Sequence, residues 1–158
     1  MGSRGGGGLT PASHPLLGLR IALVASLAPL LARLKLSTLS ALVEPGAVRT
    51  RDEPADVDEL VAHVEWVLRR GRPLVRPGCL TRGLTLYYFL RRAGVDVRLA
   101  FGVGRVDEAI AGHCWLVKDE RPFLERTDPL RTFTEVTSIP QGRRRAGSAT
   151  GRARAASG

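Results

Sequence analysis

Cys79 and His113 are the two residues whose types and positions most strongly suggest chemistry. Cys79 follows Pro77 and Gly78 and opens a predicted helix, CLTRGLTLYYFLRRAG. At a helix N-terminus, the unpaired amides and the positive end of the dipole favour a thiolate, which is the nucleophilic form of cysteine. The sequence therefore predicts that Cys79 is a nucleophile, with a small buried structural cysteine as the alternative.

His113 is the candidate general base for this thiol. A predicted strand begins at His113 with Gly112 before it, so we expect the imidazole near a strand end, within reach of the helix N-terminus. The alternative is a histidine with only a structural role. The other two histidines, His14 and His63, fall in the N-terminal segment and on a different helix, and we expect both to be structural or solvated.

A carboxylate that orients the imidazole would complete a catalytic triad. We expect the chain to reverse at residues 119–122, so that a third strand over residues 123–127 lies beside the His113 strand and Thr127 lies opposite His113. Glu125 is then the first candidate for the third residue, and Asp128 is the second. An exposed carboxylate in a hairpin is the alternative for either one.

Cys114 and Trp115 continue the strand that begins at His113. Successive side chains on a strand point to opposite faces, so Cys114 should point to the face opposite His113 and should not easily share a site with it, whereas Trp115 should share the face of His113. On that face Trp115 would shield the imidazole from water, unless it only fills the core. This geometry and the absence of paired CxxC spacing disfavour a metal centre built on Cys79, His113 and Cys114, so no metal is expected.

The elements that must position these residues run from helices to strands. Asp56 is a predicted N-cap for a helix that ends at Gly71, and the helix that begins at Cys79 ends at Gly94. Alternating apolar residues then predict a strand over residues 95–103, a loop over 106–112, and strands over 113–118, 123–127 and 132–139. This order predicts an α+β fold in which the Cys79 helix packs on one face of a small antiparallel meander.

The chain of 158 residues is long enough for one domain with a hydrophobic core. The apolar run over residues 21–32 is shorter than the ~20 residues of a membrane span and lacks a clean signal-peptide cleavage site. We therefore expect helices there that pack on the domain or on a partner. The predicted segments are a flexible N-terminus, apolar helices with a connector, a catalytic core and a disordered Arg-rich tail: residues 1–14, 15–56, 57–140 and 141–158.

The net charge of +9 suggests nucleic-acid binding at first, but the charge resides at the two ends of the chain. Residues 52–140 contain 13 basic and 14 acidic residues, whereas residues 141–158 contain five Arg and no acidic residue. The region that holds the candidate site is therefore close to neutral. We expect no nucleic-acid partner, while weak contact of the basic ends with a membrane surface stays open.

Two segments, PGCLTRGLTLYYFLRRAGVDVRLAFGV and GHCWLVKDERPFLE, resemble the transglutaminase-like superfamily. More narrowly, they are similar to the leader peptidases of lasso-peptide biosynthesis. The matching features are a Cys-Leu at the helix start, Leu-Arg-Arg-x-Gly-Val at its end, a Gly-Val in the next strand and a His-x-Trp, which together span residues 77–124. That family also has apolar N-terminal helices. Cys114 stands where the family usually has Ala, and the turn after the His strand lacks the common Asp-Gly.

The resemblance implies a papain-like cysteine peptidase that cuts the amide bond between the leader and the core of a ribosomally made precursor. Cys79 would attack this bond, and His113 would accept the thiol proton and then protonate the leaving amine. Glu125, with Asp128 as the alternative, would hold the ring. The backbone amide of Cys79 is a natural donor to the oxyanion. No cofactor is implied.

The resemblance also implies partners. These are the precursor peptide, a separate leader-recognition protein because short family members lack that domain, and a lasso cyclase that uses the freed core. The implied compartment is the cytoplasm. Two competing hypotheses stay open: another transglutaminase-fold acyltransferase or amidase, and a non-catalytic binding module that uses its basic tails.

Overall fold

A computed structural model describes residues 15–31, 33–43, 56–71, 73, 75 and 78–140. In this part of the chain, four α-helices are followed by four strands of one antiparallel sheet. The helices are α1 (Pro15–Leu31), α2 (Leu36–Val43), α3 (Val57–Arg70) and α4 (Cys79–Arg92), and the strands are β1 (Arg98–Val106), β2 (Ala109–Lys118), β3 (Arg121–Phe123) and β4 (Phe133–Ile139). The predicted α+β fold is confirmed. Our expectations for residues 1–14, 44–55 and 141–158 lie outside the described residues.

Helix α3 begins and ends at the residues that its sequence signals indicate. The Asp56 carboxylate accepts a hydrogen bond of 2.9 Å from the Asp58 amide, which satisfies one of the free donors at the helix start. At the other end, the Gly71 amide donates to the Val67 carbonyl at 2.7 Å. Acidic residues in the first turn and basic residues in the last turn complement the helix dipole. The N-cap and the C-terminal stop were therefore readable from local sequence.

Helix α4 lies at the centre of the hydrophobic core. It contacts α1, α3, β1 and β2, so side chains in several directions around the helix are buried. The largest of them are Leu84, Leu86, Tyr87, Phe89 and Leu90. Gly94, whose φ of 84° lies in the left-handed region, ends the turn after the helix as predicted. This packing fixes α4, and with it the position of Cys79, against the sheet.

Helix α1 buries one side in the same core and exposes the other. Leu17, Ile21, Ala25 and Ala28 are buried, in the spacing of a single helix face. The opposite face carries exposed leucines, namely Leu16, Leu19, Leu23, Leu27 and Leu30. Within the described residues, none of the helices is both long and apolar enough to cross a membrane.

The order of the strands in the sheet is β3-β2-β1-β4, so the predicted meander is wrong. β4 pairs with β1 on the far side of the sheet and not with β3, which precedes it in the chain. The change of direction begins at Leu124, whose positive φ of 60° ends β3 after three residues. Residues 124–132, which include the 3₁₀ turn Pro129–Arg131, then carry the chain to the other edge.

The predicted loop over residues 106–112 is also wrong, because β1 and β2 form a long hairpin joined only by Asp107 and Glu108. Both residues have positive φ values, 48° and 65°, as a two-residue turn matched to strand twist requires. β2 therefore starts at Ala109, and His113 lies in the middle of this strand opposite Gly102. Asp-Glu is not a typical sequence for such a turn, which explains why the pattern suggested a loop.

The third strand is shorter than predicted. A second two-residue turn at Asp119 and Glu120, with φ values of 49° and 59°, places β3 over residues 121–123 instead of 123–127. β3 pairs only with residues 116–118 of β2, so Thr127 has no strand position opposite His113. The fourth strand lies close to its predicted range.

Candidate active site

A cavity of about 480 Å³ lies among the N-terminus of α4, the middle of β2 and the segment that follows β3. Its lining includes Cys79, His113 and both candidate carboxylates, Glu125 and Asp128. Cys114 also lines this cavity. The structure thus brings together the candidate nucleophile, the candidate base and the two candidate carboxylates.

The early end of β3 creates this cavity. Because β3 pairs only with residues 116–118, the edge of β2 beside His113 and Cys114 has no neighbouring strand. The backbone amide of Cys114 is therefore free to form a hydrogen bond with the Cys79 sulfur. Cys114 packs in the core on the face opposite His113 and Trp115, as the strand alternation predicts. The prediction that it could not easily share a site with His113 is wrong, since at an open strand edge side chains of both faces border the same cavity.

Cys79 is the first residue of α4 and is an exposed free thiol. Its pKa is lowered from the ordinary value to about 5. The main cause is the hydrogen bond from the Cys114 side chain, which outweighs the opposing effect of burial, and the Cys114 amide and His113 contribute further. The N-cap residue is Gly78, so no side chain of the N-cap hydrogen-bonds to the first backbone amides of the helix. At neutral pH, Cys79 is consequently a thiolate.

Cys114 is a buried free thiol whose sulfur lies against α4. The contact is possible because Gly83 has no side chain: a Cβ there would lie 3.3 Å from the Cys114 sulfur. Hydrogen bonding to Cys79 and burial both raise the pKa of the Cys114 thiol, so it stays protonated and donates to the Cys79 thiolate. Although Cys79, His113 and Cys114 share the cavity, the described residues contain no group of His, Cys, Asp or Glu arranged to hold a metal ion.

Two aromatic rings hold the imidazole of His113. Trp115 stacks on it with a centroid distance of 6.1 Å, and Phe133 of β4 lies 5.0 Å away. The prediction that Trp115 shares the face of His113 is confirmed, and its burial closes that side of the ring to water. Gly102 leaves room for the indole, since a Cβ on Gly102 would lie 2.7 Å from Trp115 Cη2. The first position of the Gly-Val pair is therefore glycine because a larger residue would collide with Trp115.

Glu125 and Asp128 line the cavity, but neither lies on a strand. The Glu125 carboxylate accepts a hydrogen bond of 3.0 Å from Arg82 Nη1. The Asp128 carboxylate accepts one of 3.0 Å from the Leu130 amide and caps the 3₁₀ turn. Among the described residues, neither carboxylate is hydrogen-bonded to His113. The identity of the third triad residue therefore stays a prediction.

Arg82 is a residue of the site that the sequence analysis missed. Its guanidinium donates to Glu65 of α3 at 2.7 Å, to Glu125 at 3.0 Å and to the Leu124 carbonyl at 2.7 Å. It therefore ties α3 and α4 to the segment that forms one wall of the cavity. The available signal was its position three residues after Cys79, which places both side chains on the same side of a helix.

His63 is buried on α3, and it is not among the residues that line the cavity. His14 lies outside the described residues.

Comparison with known proteins bears on the fold of this chain. Neither the curated proteins nor the solved structures contain a match to the chain. The sequence profile of the transglutaminase-like superfamily, in contrast, matches residues 21–138. This range includes α2, α3, α4, about two thirds of α1 and all but the last residue of the sheet, so it covers most of the chain. The protein therefore belongs to the transglutaminase-like superfamily.

Proposed function

We propose that this protein is a cysteine peptidase that removes the leader peptide from a ribosomally made lasso-peptide precursor. The observation that carries the catalytic part is the Cys79 thiolate, which meets His113 at an open cavity. The substrate class is supported by the sequence motifs around Cys79 and His113, which are similar to those of lasso leader peptidases. A separate leader-recognition protein and a cyclase are the expected partners.

In the first step, the Cys79 thiolate attacks the carbonyl carbon of the amide that joins leader and core. A carbon–sulfur bond forms and the carbonyl oxygen becomes an oxyanion. Donors at a helix N-terminus stabilise such a charge, because they point along the helix axis and cost no reorganisation. The Cys79 amide is the first of these donors, and Gly78 leaves the group uncapped by any side chain.

His113 moves the proton in both halves of the reaction. It accepts the proton that Cys79 loses when the thiolate forms and gives this proton to the leaving amine, so that the carbon–nitrogen bond breaks and a thioester remains. In the second half it accepts a proton from water, which attacks the thioester and releases the leader as a carboxylic acid. Trp115 and Phe133 restrict the ring to one plane, and Glu125, or alternatively Asp128, orients it within that plane.

The test is to incubate the full chain with a candidate precursor and its leader-recognition protein and to follow intact masses. Two fragments whose masses sum to the precursor plus one water are expected. Cys79→Ala should abolish both fragments. Cys114→Ala should still produce them at pH 8, because Cys79 remains ionised at that pH even with a higher pKa. Intact precursor with the wild-type protein contradicts the proposal, and equal loss in both variants contradicts Cys79 as the nucleophile.

The same experiment separates hydrolysis from acyl transfer. An acyltransferase of this fold would form the same thioester but pass it to an amine instead of water. A lysine-like amine, added at a concentration far below that of water and followed by mass, distinguishes the two products. A product that contains the amine would favour the acyltransferase, because a hydrolase passes the thioester to water.

The third triad residue is tested by Glu125→Gln and Asp128→Asn, which remove a charge with little change in shape. Substitution of the residue that orients His113 is expected to lower kcat by about 100-fold or more, since proton transfer by a positioned side chain contributes at least about this factor to the rate. The other variant should change kcat little. Small losses in both variants would contradict a carboxylate as the third member.

A further inference from the structure

We propose that Cys114 is a resolving thiol for Cys79: a hydroperoxide oxidises Cys79, and Cys114 then closes an intramolecular Cys79–Cys114 disulfide that reversibly blocks the nucleophile. This inference goes beyond the proposed function, because it requires only a reactive Cys79 and not a particular substrate.

The packing of β2 on α4 brings the two sulfur atoms together. Cys79 and Gly83 are four residues apart on α4 and therefore lie on the same face, one turn apart. The Cys114 sulfur is 3.3 Å from the position that a Cβ on Gly83 would occupy. A Cβ of a helix is tilted toward the N-terminus, so this position lies on the side of Gly83 that faces Cys79.

Two further observations place Cys79 and Cys114 next to each other. The side chain and the backbone amide of Cys114 both lower the pKa of Cys79 through hydrogen bonding, an effect that requires the two residues to be neighbours. Both residues also line the same cavity. Cys79 follows Gly78 at the very start of the helix and is exposed, so its side chain has room to rotate toward Cys114.

The two thiols are unequal in a way that suits a two-step oxidation. Cys79 is exposed and ionised at neutral pH, so it is the sulfur that reacts first with a peroxide. Cys114 is buried and protonated, so it is sheltered from the same oxidant. The order of events is therefore set by burial and hydrogen bonding.

Each step balances. The Cys79 thiolate attacks one peroxide oxygen, the oxygen–oxygen bond breaks, and the departing oxygen takes a proton to leave as water or an alcohol. The product is a sulfenic acid at Cys79. The Cys114 sulfur then attacks the Cys79 sulfur, the sulfur–oxygen bond breaks, and the departing hydroxide takes the Cys114 proton as water. Two thiols have lost two electrons, and the hydroperoxide has gained them. A dithiol reverses the reaction by exchange.

The experiment treats the reduced, full-length chain with hydrogen peroxide and measures its intact mass. Since the chain has two cysteines in total, an intramolecular disulfide can join only this pair. We expect a monomer that has lost two hydrogens, that no longer reacts with iodoacetamide and that regains both thiols with dithiothreitol. The same treatment in urea should form the bond more slowly, because the unfolded chain does not hold the sulfurs together.

Two variants isolate the role of Cys114. Cys114→Ala and Cys114→Ser cannot form the bond, so Cys79 should instead gain oxygen atoms as sulfenic and sulfinic acid. Circular dichroism verifies that each variant is folded, and the wild-type result stands by itself if either is not. Wild-type monomers that gain oxygen without losing two hydrogens, or disulfide-linked dimers as the main product, would overturn the proposal. Because the readout is mass and not precursor cleavage, a failure here is distinct from a failure of the peptidase function.

Discussion

The hydrogen bond from Cys114 to Cys79 makes a quantitative prediction about the nucleophile. The Cys79 pKa of about 5 has this bond as its largest cause, and Cys114→Ala removes it while leaving the Cys114 amide and His113 in place. A hydrogen bond to a charged group contributes about 1.5–3 kcal/mol. One pKa unit corresponds to about 1.36 kcal/mol, so the pKa of Cys79 should rise by roughly one to two units in the variant.

The effect on reactivity depends on pH. At pH 6, a thiol with a pKa of about 5 is roughly nine-tenths ionised, whereas one with a pKa between about 6 and 7 is between about one-half and one-tenth ionised. Alkylation of Cys79 at this pH should therefore slow by about two- to ten-fold. At pH 9 both proteins are ionised, and the variant should react as fast or faster, since a more basic thiolate is intrinsically more nucleophilic.

The assay is the rate of iodoacetamide modification between pH 4 and 9, with the modified residue located by mass. Cys114→Ser is the matched control, because its hydroxyl can still donate to the thiolate and should keep the midpoint near that of the wild type. A midpoint that remains near 5 in Cys114→Ala would refute the reasoning. So would a shift in Cys114→Ser as large as that in Cys114→Ala.

Three further substitutions test how the site is supported, each by urea unfolding. Gly102→Ala should destabilise the protein by about 1–3 kcal/mol through overpacking, because the new Cβ would lie 2.7 Å from a backbone oxygen and from an indole carbon. Gly112→Ala, with its nearest atom at 3.9 Å, is the control and should change stability little; equal effects would contradict the steric argument. Arg82→Met should cost about 1–3 kcal/mol by leaving two half-buried carboxylates without their partner, whereas Arg91→Met, which loses a more exposed ion pair, should cost under about 1 kcal/mol. Asp56→Ala should cost about 1 kcal/mol by removing an N-cap, and an unchanged midpoint would show that this cap does not stabilise α3.

Local sequence was sufficient for much of the scaffold. The start of α3 at its Asp56 cap, the start of α4 at Cys79 and the stop at Gly94 depend on interactions within a few residues, and the structure has all three. The alternation of side chains along β2 also follows from strand geometry alone. That alternation placed His113 and Trp115 on one face, as found.

The partners of the strands could not be determined in this way. The two turns that set the hairpins are formed by Asp-Glu pairs with positive φ, a conformation that the sequence does not announce through glycine or asparagine. Leu124 also has a positive φ although it is not glycine. β3 ends before it, and the chain then crosses to the far edge of the sheet, where β4 pairs with β1. Such conformations are imposed by the surrounding packing.

The same long-range packing decided the composition of the candidate site. The sequence by itself determined that this chain has a cysteine at the start of a helix and a histidine on a later strand. Only the tertiary structure put Cys114 beside Cys79 and Arg82 between two carboxylates, because both depend on where β3 ends and on how closely β2 approaches α4 at Gly83. Contacts between residues distant in the chain are set by the fit of whole elements, and no local pattern encodes that fit.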